Sequence, residues 1–103
     1  MDNGHEAGSL FGLNINDRIY FIGIGGYSMC GLAQICHHAG YIVAGSDKES
    51  SRRTDQLREL GIEVFKGHEG RHMEDFKPHC VVYTAAISRD NPELMRAGEL
   101  AIP

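Results

Sequence analysis

Apolar positions along the chain come in short runs whose spacing keeps changing. Ile19–Ile24 is almost unbroken, β-branched or aromatic, the pattern of a strand buried on both faces in a parallel sheet. From Ser28 to Ala39 the apolar residues Met29, Leu32, Ala33, Ile35 and Cys36 return at helical spacing, and Gly40 stands where a helix-terminating glycine belongs. Tyr41–Ala44 predicts a second strand, ended by Gly45-Ser46-Asp47. A polar stretch then turns amphipathic and predicts a helix from Ser51 or Thr54 to Leu60, closed by Gly61. Ile62–Phe65 is a third strand, and Gly67-His68 opens a polar loop with room for one helical turn. After Pro78, Cys80–Thr84 reads as a fourth strand. Asp90-Asn91-Pro92 supplies a capping side chain and a first-turn proline for a last helix over ELMRAGEL, and a fifth strand is due at Ile102-Pro103.

Strands and helices that alternate in this way predict an α/β fold. It is an open, doubly wound, mostly parallel sheet between two helical layers. Ligands of such sheets sit beyond the carboxyl ends of the strands, where the strand order reverses. The loops at those ends are Gly23–Ser28, Gly45–Lys48, Lys66–His68 and Thr84–Ser88, and they should converge on one crevice.

Composition narrows the picture. With 103 residues, 42% hydrophobic and 23% charged, the chain suits one soluble globular domain. No apolar run approaches the ~18 residues of a membrane span. The acidic, polar start MDNGHEAGS lacks the order of a signal peptide, and residues 1–17 read as a loose leader before a domain over 18–103. A net charge of −4, with Arg52-Arg53 the only basic cluster, argues against nucleic acid. An acidic domain still binds a phosphate through backbone N–H groups and a helix dipole. Three unpaired cysteines, Cys30, Cys36 and Cys80, suit reduced thiols in a cytoplasm. Cys36-His37-His38 suggests a metal, but neighbours on a helix point in different directions, so no metal site is expected. His5, His37, His38, His72 and His79 read as solvent-facing, and Met29, Met73 and Met95 as packing residues.

The chemistry concentrates at Gly23-Ile24-Gly25-Gly26-Tyr27-Ser28, between the first strand and the first helix. Bare glycines admit a ligand to the main chain, and the helix that follows turns free N–H groups toward an anion such as a pyrophosphate. Asp47, at the end of the second strand, can accept from a ribose hydroxyl or a base N–H. The pattern resembles the dinucleotide fingerprint G-x-G-x-x-G with Ser28 at its third position, and on these features alone NAD is the default guest.

A wider set of residues changes that guess. "FIGIGGYSMCGLA", "GYIVAGSDK", "LRELGIEVFKGH" and "VVYTAAISRDNPEL…AIP" resemble, in order, the N-terminal domain of the Mur ligases over about 18–103. The resemblance implies a Rossmann-like domain that binds the UDP part of UDP-N-acetylmuramate. It also implies central and C-terminal domains, absent here, that bind ATP and the amino acid. The family uses ATP and Mg²⁺ to make an acyl phosphate of the muramyl carboxylate, which an amine then attacks. No G-x-x-x-x-G-K-[ST] phosphate loop occurs in this chain, so no catalytic residue is expected in it.

Carried over by position, Gly23, Gly25, Gly26, Tyr27 and Ser28 form the diphosphate loop, with N–H groups of the last four presented to the ligand. Ser46 and Asp47, with Lys48 beside them, meet the uracil or ribose edge, and His68 packs on or bonds to the uridine. Thr84, Ala85, Ala86 and Ile87 form the fourth lip, where the family has Ser-Ser-Ala-Ile. Ser28 stands in place of the family's glycine, and Ala85 lacks one hydroxyl. Two other readings compete: an NAD(H)-binding module of a dehydrogenase, and a regulatory nucleotide-binding domain that assembles with copies of itself. Asp47 suits all three, whereas "TAAISRDNPEL" suits only the Mur ligase reading.

Overall fold

The computed structural model describes residues 12–103. Four strands, β1 (Arg18–Ile22), β2 (Ile42–Asp47), β3 (Glu63–Lys66) and β4 (Cys80–Val82), form one parallel sheet in the order β3-β2-β1-β4. Helices α1 (Tyr27–His38), α2 (Arg52–Glu59), α3 (Arg71–Phe76) and α4 (Pro92–Glu99) each follow a strand. The chain winds outward from β1 to β3, then crosses back to place β4 on β1's other side. The order therefore reverses between β1 and β4, where a ligand is expected.

β1 divides the core. Ile19 and Phe21 pack with Met29, Ala33 and Cys36 of α1 and Leu57 of α2, while Tyr20 and Ile22 pack with Met73 of α3 and Ala97 of α4. Successive strand side chains point to opposite faces, so the uninterrupted apolar run of β1 feeds both layers.

The helix signals act where expected. Ser51 and Thr54 cap α2 reciprocally, at 3.3 Å for Thr54 N–H to Ser51 Oγ and 2.8 Å for Ser51 N–H to Thr54 Oγ1. Asn91 caps α4 by accepting from the N–H groups of Glu93 and Leu94 at 2.9 and 3.2 Å, with Pro92 in the first turn. The strand ends differ from expectation. β2 continues through Gly45, Ser46 and Asp47 because Gly45 keeps it close to β1: a Cβ there would lie 2.5 Å from Phe21 O and 2.8 Å from Ile24 Cβ. β1 stops at Ile22, since the N–H groups of Gly23 and Ile24 both turn onto Ser46 O, at 2.8 and 2.9 Å. β4 is only three residues long and releases Tyr83 and Thr84 to the loop.

Of the leader read over 1–17, residues 1–11 and His5 with them lie outside the described residues. Leu13 packs against the core, Asn16 N–H donates to Gly40 O at 3.1 Å, and Tyr41 hydroxyl donates to Leu13 O at 3.3 Å. His72 is not solvent-facing: it is 1% exposed, and its ring stacks on Phe65 at 4.0 Å. His38 and His79 are exposed and His37 is half-buried. Met29 and Met73 are core residues, whereas Met95 is exposed. The three cysteines are free thiols, and among the described residues no group of three His, Cys, Asp or Glu is placed to hold a metal ion. No helix among them is long and apolar enough to cross a membrane.

Candidate functional site

The four strand-end loops meet in a cleft of ≈ 430 Å³ above β1 and β4. Gly23, Gly26, Tyr27, Ser28, Asp47, Lys48, His68, Thr84, Ala86 and Ile87 line it, joined by Ile22 and Met29. Gly25 and Ser46 are buried beside it, and Ala85 is exposed outside its lining. A smaller annex of ≈ 280 Å³ runs from Lys48 and His68 past Ile87 to Asn91 and Pro92. Lys48 and His68 therefore stand where the two spaces join.

The floor of the cleft is the N-terminus of α1. Its capping residue, Gly26, brings no side-chain hydrogen bond, and the first turn holds no acidic residue. The N–H groups of Tyr27, Ser28 and Met29 thus lack partners inside the helix and, with the helix dipole, favour an anion. Two of the four loop amides expected to face a ligand are already used. Gly25 N–H donates to Asp47 Oδ2 at 2.9 Å, and Gly26 N–H donates to Gly23 O at 3.0 Å. Of those four, the N–H groups of Tyr27 and Ser28 remain as donors, and Met29 N–H is an addition.

Asp47 braces this loop. Besides Gly25 N–H, its carboxylate accepts from Glu49 N–H at 3.3 Å. The glycine at position 25 serves that contact, because a Cβ there would sit 2.8 Å from both Asp47 Oδ2 and Thr54 Cγ2. Arg53 completes the brace from α2, donating from Nε to Gly25 O at 2.6 Å with its guanidinium 5.8 Å from the centre of the Tyr27 ring. Tyr27 itself is 86% exposed at the mouth. Sequence reasoning sets Arg52-Arg53 aside as too small a basic cluster. Proximity to the loop depends on how α2 docks, which spacing does not reveal.

Beneath the annex lies a buried polar cluster. Glu93, in the first turn of α4, is 0% exposed. Its Oε1 accepts from Ser46 Oγ at 2.5 Å and lies 3.2 Å from His68 Nδ1. Its Oε2 accepts from Tyr20 hydroxyl at 2.6 Å and lies 2.5 Å from His72 Nδ1. Burial, and then the bond to Glu93, push the Tyr20 phenol well above its ordinary range, so it stays a donor. A buried carboxylate is tolerated when it is hydrogen-bonded, and the helix N-terminus adds to its support. Every buried side-chain nitrogen and oxygen among the described residues has a partner. Sequence reasoning misses both Glu93 and His72. A carboxylate after Asn-Pro is ordinarily a solvated first-turn residue, and nothing local marks this one as buried.

Lys48 is the only lysine or arginine among the described residues that line the cleft. Together with the α1 amides it offers an anion a cation and helix-end N–H donors, although the Asp47 carboxylate lines the same cleft. Thr84 Oγ1 accepts from Ala86 N–H at 3.3 Å, which shapes the lip.

Comparison with known proteins follows the same ground. The model of the Mur ligase family, catalytic domain, matches residues 18–103. The chain is 48% identical over 86 residues to a UDP-N-acetylmuramate–L-alanine ligase of Clostridium perfringens and 51% identical over 87 residues to one of Streptomyces griseus. Each match covers 84% of this chain and 18% of the relative, so the chain spans about a fifth of the length of these curated relatives. Among solved structures, UDP-N-acetylmuramate-alanine ligase MurC from Thermotoga maritima has a TM-score of 0.80 at 38% identity, covering 84% of this chain and 20% of that one. The UDP-N-acetylmuramate:L-alanyl-gamma-D-glutamyl-meso-diaminopimelate ligase of Neisseria meningitides has a TM-score of 0.77 at 34% identity, with 84% and 27% covered. An enzyme of Bordetella bronchiseptica, WbmH, solved with NAD⁺, is alike in fold alone, with a TM-score of 0.58 at 21% identity over 84% of this chain and 36% of that one.

Proposed function

The chain belongs to the Mur ligase family, and from that premise we propose that its cleft holds the UDP end of UDP-N-acetylmuramate for an ATP-dependent ligase. The enzyme would join the muramyl carboxylate to L-alanine, the amino acid in the names of the similar relatives, as a cytoplasmic step in peptidoglycan precursor synthesis. The observation that carries the reading is the uncapped α1 N-terminus opening into a cleft lined from all four strand-end loops. The diphosphate lies against the amides of Tyr27, Ser28 and Met29, with the Ser28 hydroxyl and Lys48 as further donors. The nucleoside extends toward Asp47, His68 and the Thr84–Ile87 lip.

ATP and Mg²⁺ belong to the reaction but do not fit this chain. It has no G-x-x-x-x-G-K-[ST] loop. Its own part is to bind and orient. Central and C-terminal ligase domains would carry the phosphoryl and amino-acid chemistry.

The test is an NMR titration of the labelled chain with UDP-N-acetylmuramate, UDP and NAD in parallel. Shifts at Tyr27–Met29, Lys48, His68 and Thr84–Ile87 with the uridine ligands and not with NAD are the expected result. Binding of NAD alone would overturn the uridine-diphosphate reading of the cleft.

A further inference from the structure

With Glu93 taken as a carboxylate, which can only accept, the hydrogens around it can be assigned by elimination. The Ser46 hydroxyl gives its one hydrogen to Oε1 and the Tyr20 hydroxyl gives its own to Oε2. The His68 Nδ1 then faces two acceptors: Ser46 Oγ at 2.8 Å, whose hydrogen is committed, and Glu93 Oε1 at 3.2 Å. Only a protonated Nδ1 satisfies both. His72 repeats the arrangement on the other oxygen, where its Nδ1 lies 2.5 Å from Oε2 and 3.2 Å from the Tyr20 hydroxyl. Stacked on Phe65, His72 keeps the carboxylate from turning away. Because the Nδ1 edge of His68 points into the protein, its Nε2 is the ring nitrogen left for the cleft and annex that this residue lines.

We propose that Glu93 is a positioning residue: with Ser46 it pins the proton of His68 to Nδ1, so that His68 meets the nucleoside through an unprotonated Nε2 and selects a hydrogen-bond donor there. The donor is a ribose hydroxyl or the uracil imide N–H. A base that presents an acceptor at the same place is refused, since two facing lone pairs leave both unsatisfied. The ligand half of this inference rests on the UDP reading. The proton half rests on the cluster alone.

The experiment joins a spectrum to a binding cycle. Long-range ¹H–¹⁵N spectra of the full chain with labelled histidine are recorded without ligand at about pH 8, above the ordinary histidine range. His68 is expected to carry its proton on Nδ1 and none on Nε2. A proton on Nε2 overturns the proposal whether or not UDP binds. With Nδ1 protonated as expected, a failure of UDP to bind counts against the UDP reading alone. Calorimetry then measures UDP with wild type, Glu93→Gln, His68→Ala and the double variant. Loss of one hydrogen bond to a neutral group corresponds to roughly a tenfold weakening for Glu93→Gln. In the His68→Ala background the same change should cost less than about twofold, because Glu93 acts through His68. Equal losses in both backgrounds would mean a structural role only and would overturn the proposal. N3-methyl-UDP and 2′-deoxy-UDP separate the two donors: the one that wild type rejects and His68→Ala tolerates identifies the group read. If Glu93→Gln does not fold, the wild-type spectrum still decides the placement of the proton.

Discussion

Substituting Gly25 with alanine isolates the brace of the phosphate loop. Gly25 is buried and its φ is not in the left-handed region, so the obstacle is space. The new methyl would arrive 2.8 Å from Asp47 Oδ2, 2.8 Å from Thr54 Cγ2 and 3.3 Å from Asp47 Cγ. Thr54 is buried in the capping box of α2 and cannot retreat, so the loop or Asp47 must move. Overpacking of this kind costs about 1–3 kcal/mol. The Gly25 N–H···Asp47 bond would break with it, and a hydrogen bond to a charged group is worth about 1.5–3 kcal/mol. One displacement causes both losses, so they overlap, and about 3 kcal/mol is the expected total. At about 4–8 °C per kcal/mol for a domain of this size, the melting temperature should fall by roughly 12–24 °C. Thermal unfolding followed by circular dichroism reads it directly. Removing the Asp47 side chain in the same molecule should recover part of the loss, since one of the two clashing partners is gone. A Gly25→Ala protein that melts within about 2 °C of wild type would refute the reasoning and restore the view that this glycine exists to admit a ligand.

Other consequences are simpler. Gly31 lies inside α1, and a methyl group added there would meet nothing within 4 Å, so Gly31→Ala should stabilise the chain by about 0.5–1 kcal/mol in a denaturant titration. Asn91→Ala removes the α4 cap and should cost about 1 kcal/mol by the same assay. Tyr20 gives a pH signature. Its phenol is raised above the ordinary value of 10.0 in the folded state, so the fold holds that proton more tightly than the unfolded chain does. The stabilisation is complete below about pH 10 and is lost as the pH climbs beyond it. Tyr20→Phe should therefore lose stability less steeply than wild type between about pH 9 and pH 11, measured by urea unfolding, and identical slopes would contradict the assignment.

What the sequence reveals and what it hides divide along chain distance. The β1 run, the Asn91-Pro92 start of α4 and the convergence of four loops are readable because each depends on neighbours or on the strand order that alternation dictates. The apolar pattern ends β2 before Gly45, a residue that usually breaks strands but here lets β2 lie against Phe21 and Ile24. The Gly25–Asp47 brace spans 22 positions and the Tyr20–Glu93 bond 73, so no local pattern announces either. Glu93 looks like an ordinary helix-start acid and His72 like a loop residue. Burial of both follows from the docking of α3 and α4 under the sheet. The glycine loop is recognisable as a site from its spacing, but the assignment of its amides needs the partners of each N–H.

The pairing of β1 with β4 has a consequence in time. Tyr20 lies beside Val81, and Tyr20 also bonds Glu93 across most of the chain. β1 can pair with β2 after closing a short loop, but β4 and α4 must return over some sixty residues or more, and long closures are entropically dearer and slower. On a ribosome they also emerge after β1 and β2. The α1 end of the cleft can thus be shaped while the histidine side still lacks its carboxylate, and competence to hold a nucleotide should trail the first appearance of secondary structure until α4 has docked.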